Sequence, residues 1–256
     1  MTNAYRFLFL SVTVCLGPTA WADSVIVNTS LGLTELQILP STGTPDVFSV
    51  TATTFAQALD SSGGFSQSDD NPASAATTLA NASGAASTSA LTGSVTANID
   101  LPDNFNGFAS SEGDSVLSGM FDITGAATNP VNVTFNAFLT GSQLLETTGA
   151  GQYATSEIIF TLLLTGPSTS NTILAYDNLL PIGPGSSLIV PYGSTLSASM
   201  SLNPNTDYSF VASLDAESYG VSVIPEPSPV GLALTLVGLL AVLGRLTKKP
   251  RLDGRG

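Results

Sequence analysis

Carboxylates are nearly the only reactive side chains in the body of this chain. Their densest grouping, with neighbouring amides, is Asp100, Asp103, Asn104, Asn106, Glu112 and Asp114. Carboxylates, side-chain amides and backbone carbonyls are the oxygen ligands that Ca²⁺ takes, about six to eight at a time. The chemistry these residues would support is therefore calcium binding in a loop-like stretch. Their spacing is not that of an EF-hand, where acids recur at alternate positions before a fixed Gly and a final Glu. Asp69-Asp70-Asn71 is a second, poorer grouping. The same residue types also serve as turn formers with no ion bound, so calcium and plain turn geometry both stay open.

Most other catalytic chemistries lack their residues. The chain has no His, its one cysteine is Cys15, and all six basic residues are Arg6, Arg245, Lys248, Lys249, Arg251 and Arg255. Between 23 and 226 there is thus no Ser-His-Asp or Cys-His constellation, no zinc set, no Ser-Lys dyad and no Walker loop. Two carboxylates alone can hydrolyse a glycosidic bond. Sugar sites rely on aromatic platforms, however, and this span has no Trp and few Tyr. The expectation is a non-enzymatic protein without a resident cofactor, Ca²⁺ being the one candidate. Without Lys or Arg there is no phosphate clamp, which excludes nucleic acid as a partner. Eighteen of the 19 acids fall in this span. They repel one another, so salt or divalent cations should favour the folded state.

The elements that would hold these side chains read as strands. Short runs rich in Val, Ile, Thr, Phe and Tyr alternate with Gly, Asn, Pro and Ser clusters, and no long 3.6-residue period is present. Residues 25–27, 47–52, 91–99, 116–124, 131–139, 172–176 and 188–192 are strand candidates. In 131–139, Val131, Val133, Phe135, Ala137 and Leu139 share one face. The nearly continuous apolar run 158–164 suggests a strand covered on both faces. Leu196 to Leu202 and Tyr208 to Leu214 alternate about Asn203-Pro204-Asn205 and read as a hairpin. The same stretch resembles the tyrosine corner of fibronectin-type sandwiches, in which a Tyr hydroxyl bonds back to upstream backbone.

Residues 66–94, dominated by Ser, Ala, Thr, Gly and Asn, read as an exposed, poorly packed low-complexity insertion. Asn71 before Pro72 could instead cap a short helix there. The fold class expected is all-β, a β-sandwich of seven to ten strands, jelly-roll or fibronectin-like, over 23–222. A signal helix would precede it and a transmembrane helix follow it.

The two ends carry address information. Arg6 followed by the apolar stretch 7–16 and by Ala20-Trp21-Ala22 has the form of a signal peptide, 1–22, cleaved after Ala22. Cys15 follows the branched Val14 and reads as filler of that apolar stretch. At the other end, 223–256 holds three signals in order: Pro225-Glu226-Pro227, the apolar run 230–244, and a basic tail 245–256. The prolines lack amide donors and keep the first part extended. The uncharged span 227–244 would measure roughly 27 Å as a helix, barely the thickness of a hydrocarbon core. Arg245, Lys248 and Lys249 would orient the span with the tail cytoplasmic.

This order of Pro225, Glu226 and Pro227, a short hydrophobic segment and Arg245 resembles the PEP-CTERM sorting signal of Gram-negative bacteria. The resemblance covers only the last thirty or so residues. It implies recognition and cutting at Pro225-Glu226-Pro227 by an exosortase-type membrane transpeptidase. It also implies transient residence in the inner membrane, and then a surface or extracellular location associated with exopolysaccharide and biofilm. A plain single-span anchor with a proline-rich stalk remains the alternative. A further alternative for the body is a calcium-dependent carbohydrate-binding or adhesin module.

Overall fold

The computed structural model describes residues 24–102, 105–167 and 169–223. Among them are twelve strands: β1 (Val25–Pro40), β2 (Thr44–Asp60), β3 (Phe65–Ser68), β4 (Ala73–Ala76), β5 (Ala80–Ser87), β6 (Thr92–Leu101), β7 (Gly107–Thr124), β8 (Val131–Thr147), β9 (Gln152–Gly166), β10 (Thr169–Ile182), β11 (Ser187–Leu202) and β12 (Tyr208–Ser222). They form two six-stranded antiparallel sheets. Sheet I runs β11-β8-β1-β6-β5-β4 and sheet II runs β10-β9-β12-β7-β2-β3. No helix among the described residues is long and apolar enough to cross a membrane. The signal segment, the sorting motif, the apolar run 230–244 and the basic tail lie outside the described residues.

The period of two in the sequence becomes an inside and an outside. Along β7, every second residue from Ala109 to Ile123 is buried, Leu117 and Phe121 among them, while the alternate residues from Ser110 to Asp122 face outward. The inner faces of the two sheets cover each other. Their largest buried cluster centres on Phe121, Phe135 and Tyr208, with Phe121 edge-on to Phe135 at 5.9 Å and stacked on Tyr208 at 5.7 Å. Such ring pairs add about 0.5–1.5 kcal/mol beyond the area they bury.

A second buried cluster is mostly alanine, including Ala56, Ala58, Ala73, Ala75, Ala82 and Ala109. Buried polar side chains bond across the interior as well. The Thr29 hydroxyl lies 2.6 Å from both the Ser156 and Ser218 hydroxyls, and Ser218 donates to the Ala97 carbonyl at 2.8 Å. Gln143 Nε2 donates to the Ser156 carbonyl and hydroxyl, both at 3.0 Å. Thr29 and Gln143 belong to sheet I, Ser156 and Ser218 to sheet II, so this network ties one sheet to the other. Buried polar groups are tolerated only when satisfied in this way.

Several expectations are corrected. Residues 66–94 are not a poorly packed insertion: they supply β3, β4, β5 and the start of β6, which takes the strand count beyond ten. Ala73, Ala75, Leu79, Ala80 and Ala82 are buried there. Their small side chains suit a region where the sheets nearly touch. A Cβ on Gly113 would sit 2.6 Å from the Ser83 carbonyl and 2.7 Å from that of Thr96. Asn71 caps no helix; its side chain accepts from Ala86 N at 3.2 Å and donates to Ala86 O at 3.1 Å, imitating a strand partner.

Residues 196–214 are not a hairpin. β11 pairs with β8 in sheet I, whereas β12 pairs with β7 and β9 in sheet II. The turn between them is a crossing from one sheet to the other, and the Tyr208 hydroxyl accepts from Asn203 N at 2.9 Å across it. That is the bond expected of a tyrosine corner. The run 158–164 is not covered on both faces: Ile158, Phe160, Leu162 and Leu164 are buried, while Ile159 and Leu163 are only partly so.

Candidate functional site

The carboxylates expected to gather between 100 and 114 are separated by the fold. Asp100 is exposed near the end of β6 in sheet I. Glu112 and Asp114 are not in a loop; they lie in β7 of sheet II, on its outward face. Asp100 is therefore held apart from Glu112 and Asp114, because β6 and β7 belong to opposite sheets. Asn106 is exposed in the connection between those strands, and Asp103 and Asn104 lie outside the described residues. In the second grouping, Asp70 accepts the Thr54 hydroxyl through its backbone carbonyl, and the Asp69 carboxylate accepts from Gln67 Nε2 at 3.4 Å.

Glu112 and Asp114 instead meet acids that are distant in sequence. Registration of β12 on β7 sets Glu217 opposite Glu112 and Asp215 opposite Asp114. Registration of β9 on β12 sets Glu157 opposite Glu217. Glu112, Asp215 and Glu217 each bring a carboxylate oxygen within 4.8 Å of the other two. One signal in the sequence was available: acids at i and i+2, as in Glu112/Asp114 and Asp215/Glu217, fall on one face of a strand. Which pairs then face each other depends on strand pairing, which no local pattern supplies.

Crowding without compensation sets the electrostatics. No Lys, Arg or His occurs among the described residues. Burial pushes the Asp215 carboxyl up to about 8, reinforced by the charges of Asp114, Glu217, Glu112 and Glu157. Glu112, Asp114, Glu157 and Glu217 are also raised, in each case first by burial and then by neighbouring acids. Asp114 and Asp215 stand opposite each other in register, so ionising one opposes ionising the other. Such a cluster can hold protons, or cations supplied from solution.

A cleft of about 370 Å³ opens beside these acids, with Gln57, Glu112, Glu157, Leu179, Glu217 and Tyr219 among its walls. Tyr219 is 40% exposed and stacks on Phe108, ring centroids 6.3 Å apart. Tyr153 is also exposed on this face, one strand away. Phe108, Tyr153 and Tyr219 thus stand as exposed rings on this face.

No protein-family model matches the chain, and no curated protein matches it.

Proposed function

We propose that the chain is a secreted, acidic, non-enzymatic surface or extracellular-matrix protein, sorted by an exosortase-type system and associated with exopolysaccharide or biofilm. The observation that carries this reading is the coincidence of two address signals on one chain. One is the export segment ending in Ala20-Trp21-Ala22. The other is Pro225-Glu226-Pro227 followed by the uncharged span and by Arg245, Lys248 and Lys249. A strand-rich body between them, lacking the side chains most catalysts use, supports the same reading. Within it the body is a fibronectin-like sandwich, which the Tyr208 corner supports. The test is processing in the native host. Wild type yields mature protein beginning at Asp23 and lacking the tail. The Pro225→Ala/Glu226→Ala variant stays uncleaved in the inner membrane. Unchanged processing of that variant would overturn the sorting role.

A second reading is a calcium-dependent carbohydrate-binding or adhesin module. The approach of Glu112, Asp215 and Glu217 within 4.8 Å favours it, since three carboxylates are a strong start on a Ca²⁺ shell. Millimolar Ca²⁺ would then raise the melting temperature over that in chelator, and Glu217→Gln would remove most of the rise. No shift in wild type would end this reading.

A further inference from the structure

We propose that the cleft on the outer face of sheet II is a groove for a glycan bearing free amino groups, with Tyr219 as its stacking platform and Glu112, Glu157 and Glu217 as counter-charges for the ammonium groups. The inference rests only on the carbohydrate-binding part of the second reading, puts the ligand's ammonium groups in the place of Ca²⁺, and is independent of the sorting signal.

Shape and apolar surface come first. The groove is concave, and its walls include two exposed apolar side chains, Tyr219 at 40% and Leu179 at 55%. Phe108 backs Tyr219 at 6.3 Å with the rings 30° apart, which limits the freedom of the Tyr219 ring before any ligand arrives. A rigid, exposed ring beside hydrogen-bonding groups suits the apolar face of a sugar. It also attracts a cation lying over it.

Charge then selects among sugars. Glu112, Glu217 and Glu157 stand on three adjacent strands, β7, β12 and β9, in one cross-strand row. Neighbouring strands are about 4.8 Å apart, so the row offers a carboxylate at intervals on the scale of one sugar ring. No cationic side chain among the described residues answers it. An acidic glycan would be repelled. A neutral one would leave the crowded carboxylates uncompensated. A glycan with primary amines supplies both the face for Tyr219 and the missing positive charges. The same complementarity argues against a second copy or an anionic lipid surface, each of which would oppose like charges.

The test is isothermal titration of the full chain, purified in mild detergent, with soluble β-1,4-linked glucosamine oligomers. The fully N-acetylated oligomer and a uronic-acid oligomer serve as comparisons, each with Ca²⁺ and with chelator. The amine oligomer should bind, and binding should weaken at least about tenfold between about 0.05 M and 0.5 M salt as screening sets in. It should also weaken several-fold in Glu217→Gln and in Tyr219→Ala, two substitutions at exposed sites. Calcium should compete rather than assist.

Equal binding of the N-acetylated oligomer would overturn the proposal, as would amine binding indifferent to Tyr219→Ala. Binding of the uronic-acid oligomer only with Ca²⁺ would also overturn it, while upholding the binding module itself. Failure of every oligomer, with or without Ca²⁺, would overturn both. A dimer in sedimentation analysis that Tyr219→Ala dissolves would assign the aromatic face to a second copy instead, again against the proposal.

Discussion

Asp114 on β7 and Asp215 on β12 face each other in register, and Asp215 Oδ1 is buried without a hydrogen-bond partner. Two carboxyl groups paired across strands in a partly buried place resist ionising together. Because Asp215 is held up to about 8 in the folded chain, against about 3.9 when unfolded, the native state binds the proton more tightly. Stability from this group is fully present below about pH 4 and is lost as pH rises through about 8. Glu112, Asp114, Glu157 and Glu217, all raised, act in the same direction. We expect Asp215→Asn to raise the melting temperature at pH 7 by about 2–6 °C, with 1 kcal/mol worth about 2–4 °C in a chain of this size. It should also flatten the decline between pH 5 and 8.5. Thermal melts across that range check both; an unaltered slope would contradict the account by burial and like-charge crowding.

At the acid end the sign reverses for one residue. Asp60, 2% exposed, accepts from the Ser62 hydroxyl and from the amides of Ser62 and Gly64 at 2.9 and 3.1 Å. The Ser62 bond foremost holds its carboxyl down to about 2. Its contribution is present above the unfolded value and is lost as pH falls through about 2. Asp60→Asn should therefore melt earlier than wild type at pH 6, with the gap closing towards pH 2. A gap that stays constant would show that the loss is steric.

The bond network between the sheets should be cooperative. Thr29→Val keeps shape but removes the hydroxyl that lies 2.6 Å from both Ser156 and Ser218, and we expect it to destabilise by about 1–3 kcal/mol. Adding Ser218→Ala should cost less than the sum of the single changes, since the orphaned partner is removed as well. Denaturant titration of the four proteins measures the coupling, and strict additivity would count against a single network.

Tyr208→Phe isolates the corner. It deletes the bond from Asn203 N to the Tyr208 hydroxyl and leaves the stacking on Phe121 in place. The expected loss is about 0.5–1.5 kcal/mol for one hydrogen bond. A neutral result in denaturant titration would mean that packing alone holds the crossing.

Close approach of the sheets gives the sharpest contrast between two glycines. A methyl group on Gly113 would meet two backbone carbonyls of sheet I within 2.7 Å, while one on Gly193 would meet nothing within 4 Å. Gly113→Ala should yield little folded protein, because backbone cannot step aside as a flexible side chain can. Gly193→Ala should express and melt like wild type. Soluble yield and circular dichroism of the pair decide the matter.

Chemistry by composition was legible from residue types alone. The absence of His, of Lys and Arg between 23 and 226, and of Cys in that span removes whole classes of site whatever the fold. Local alternation also announced which residues of 131–139 face inward, because a strand's side chains must alternate. The Tyr208 corner was legible for a similar reason: a donor, a turn and an acceptor lie within six residues of one another. Residues 66–94 misled because small side chains look uncommitted until an opposing sheet comes within backbone contact, as at Gly113.

The hairpin expected at 196–214 failed for a related reason. Alternation shows that two strands exist, yet says nothing about whether they share a sheet. The acidic face shows the limit most clearly. Glu112, Glu157 and Glu217 lie far apart along the chain and become neighbours only because β7, β12 and β9 are adjacent in sheet II. Side-chain type and the direction each strand residue faces follow from local covalent geometry, and the sequence by itself determined them. Which charges must share a low-dielectric patch depends on pairing between strands far apart in the chain, and that was decided only by the tertiary structure.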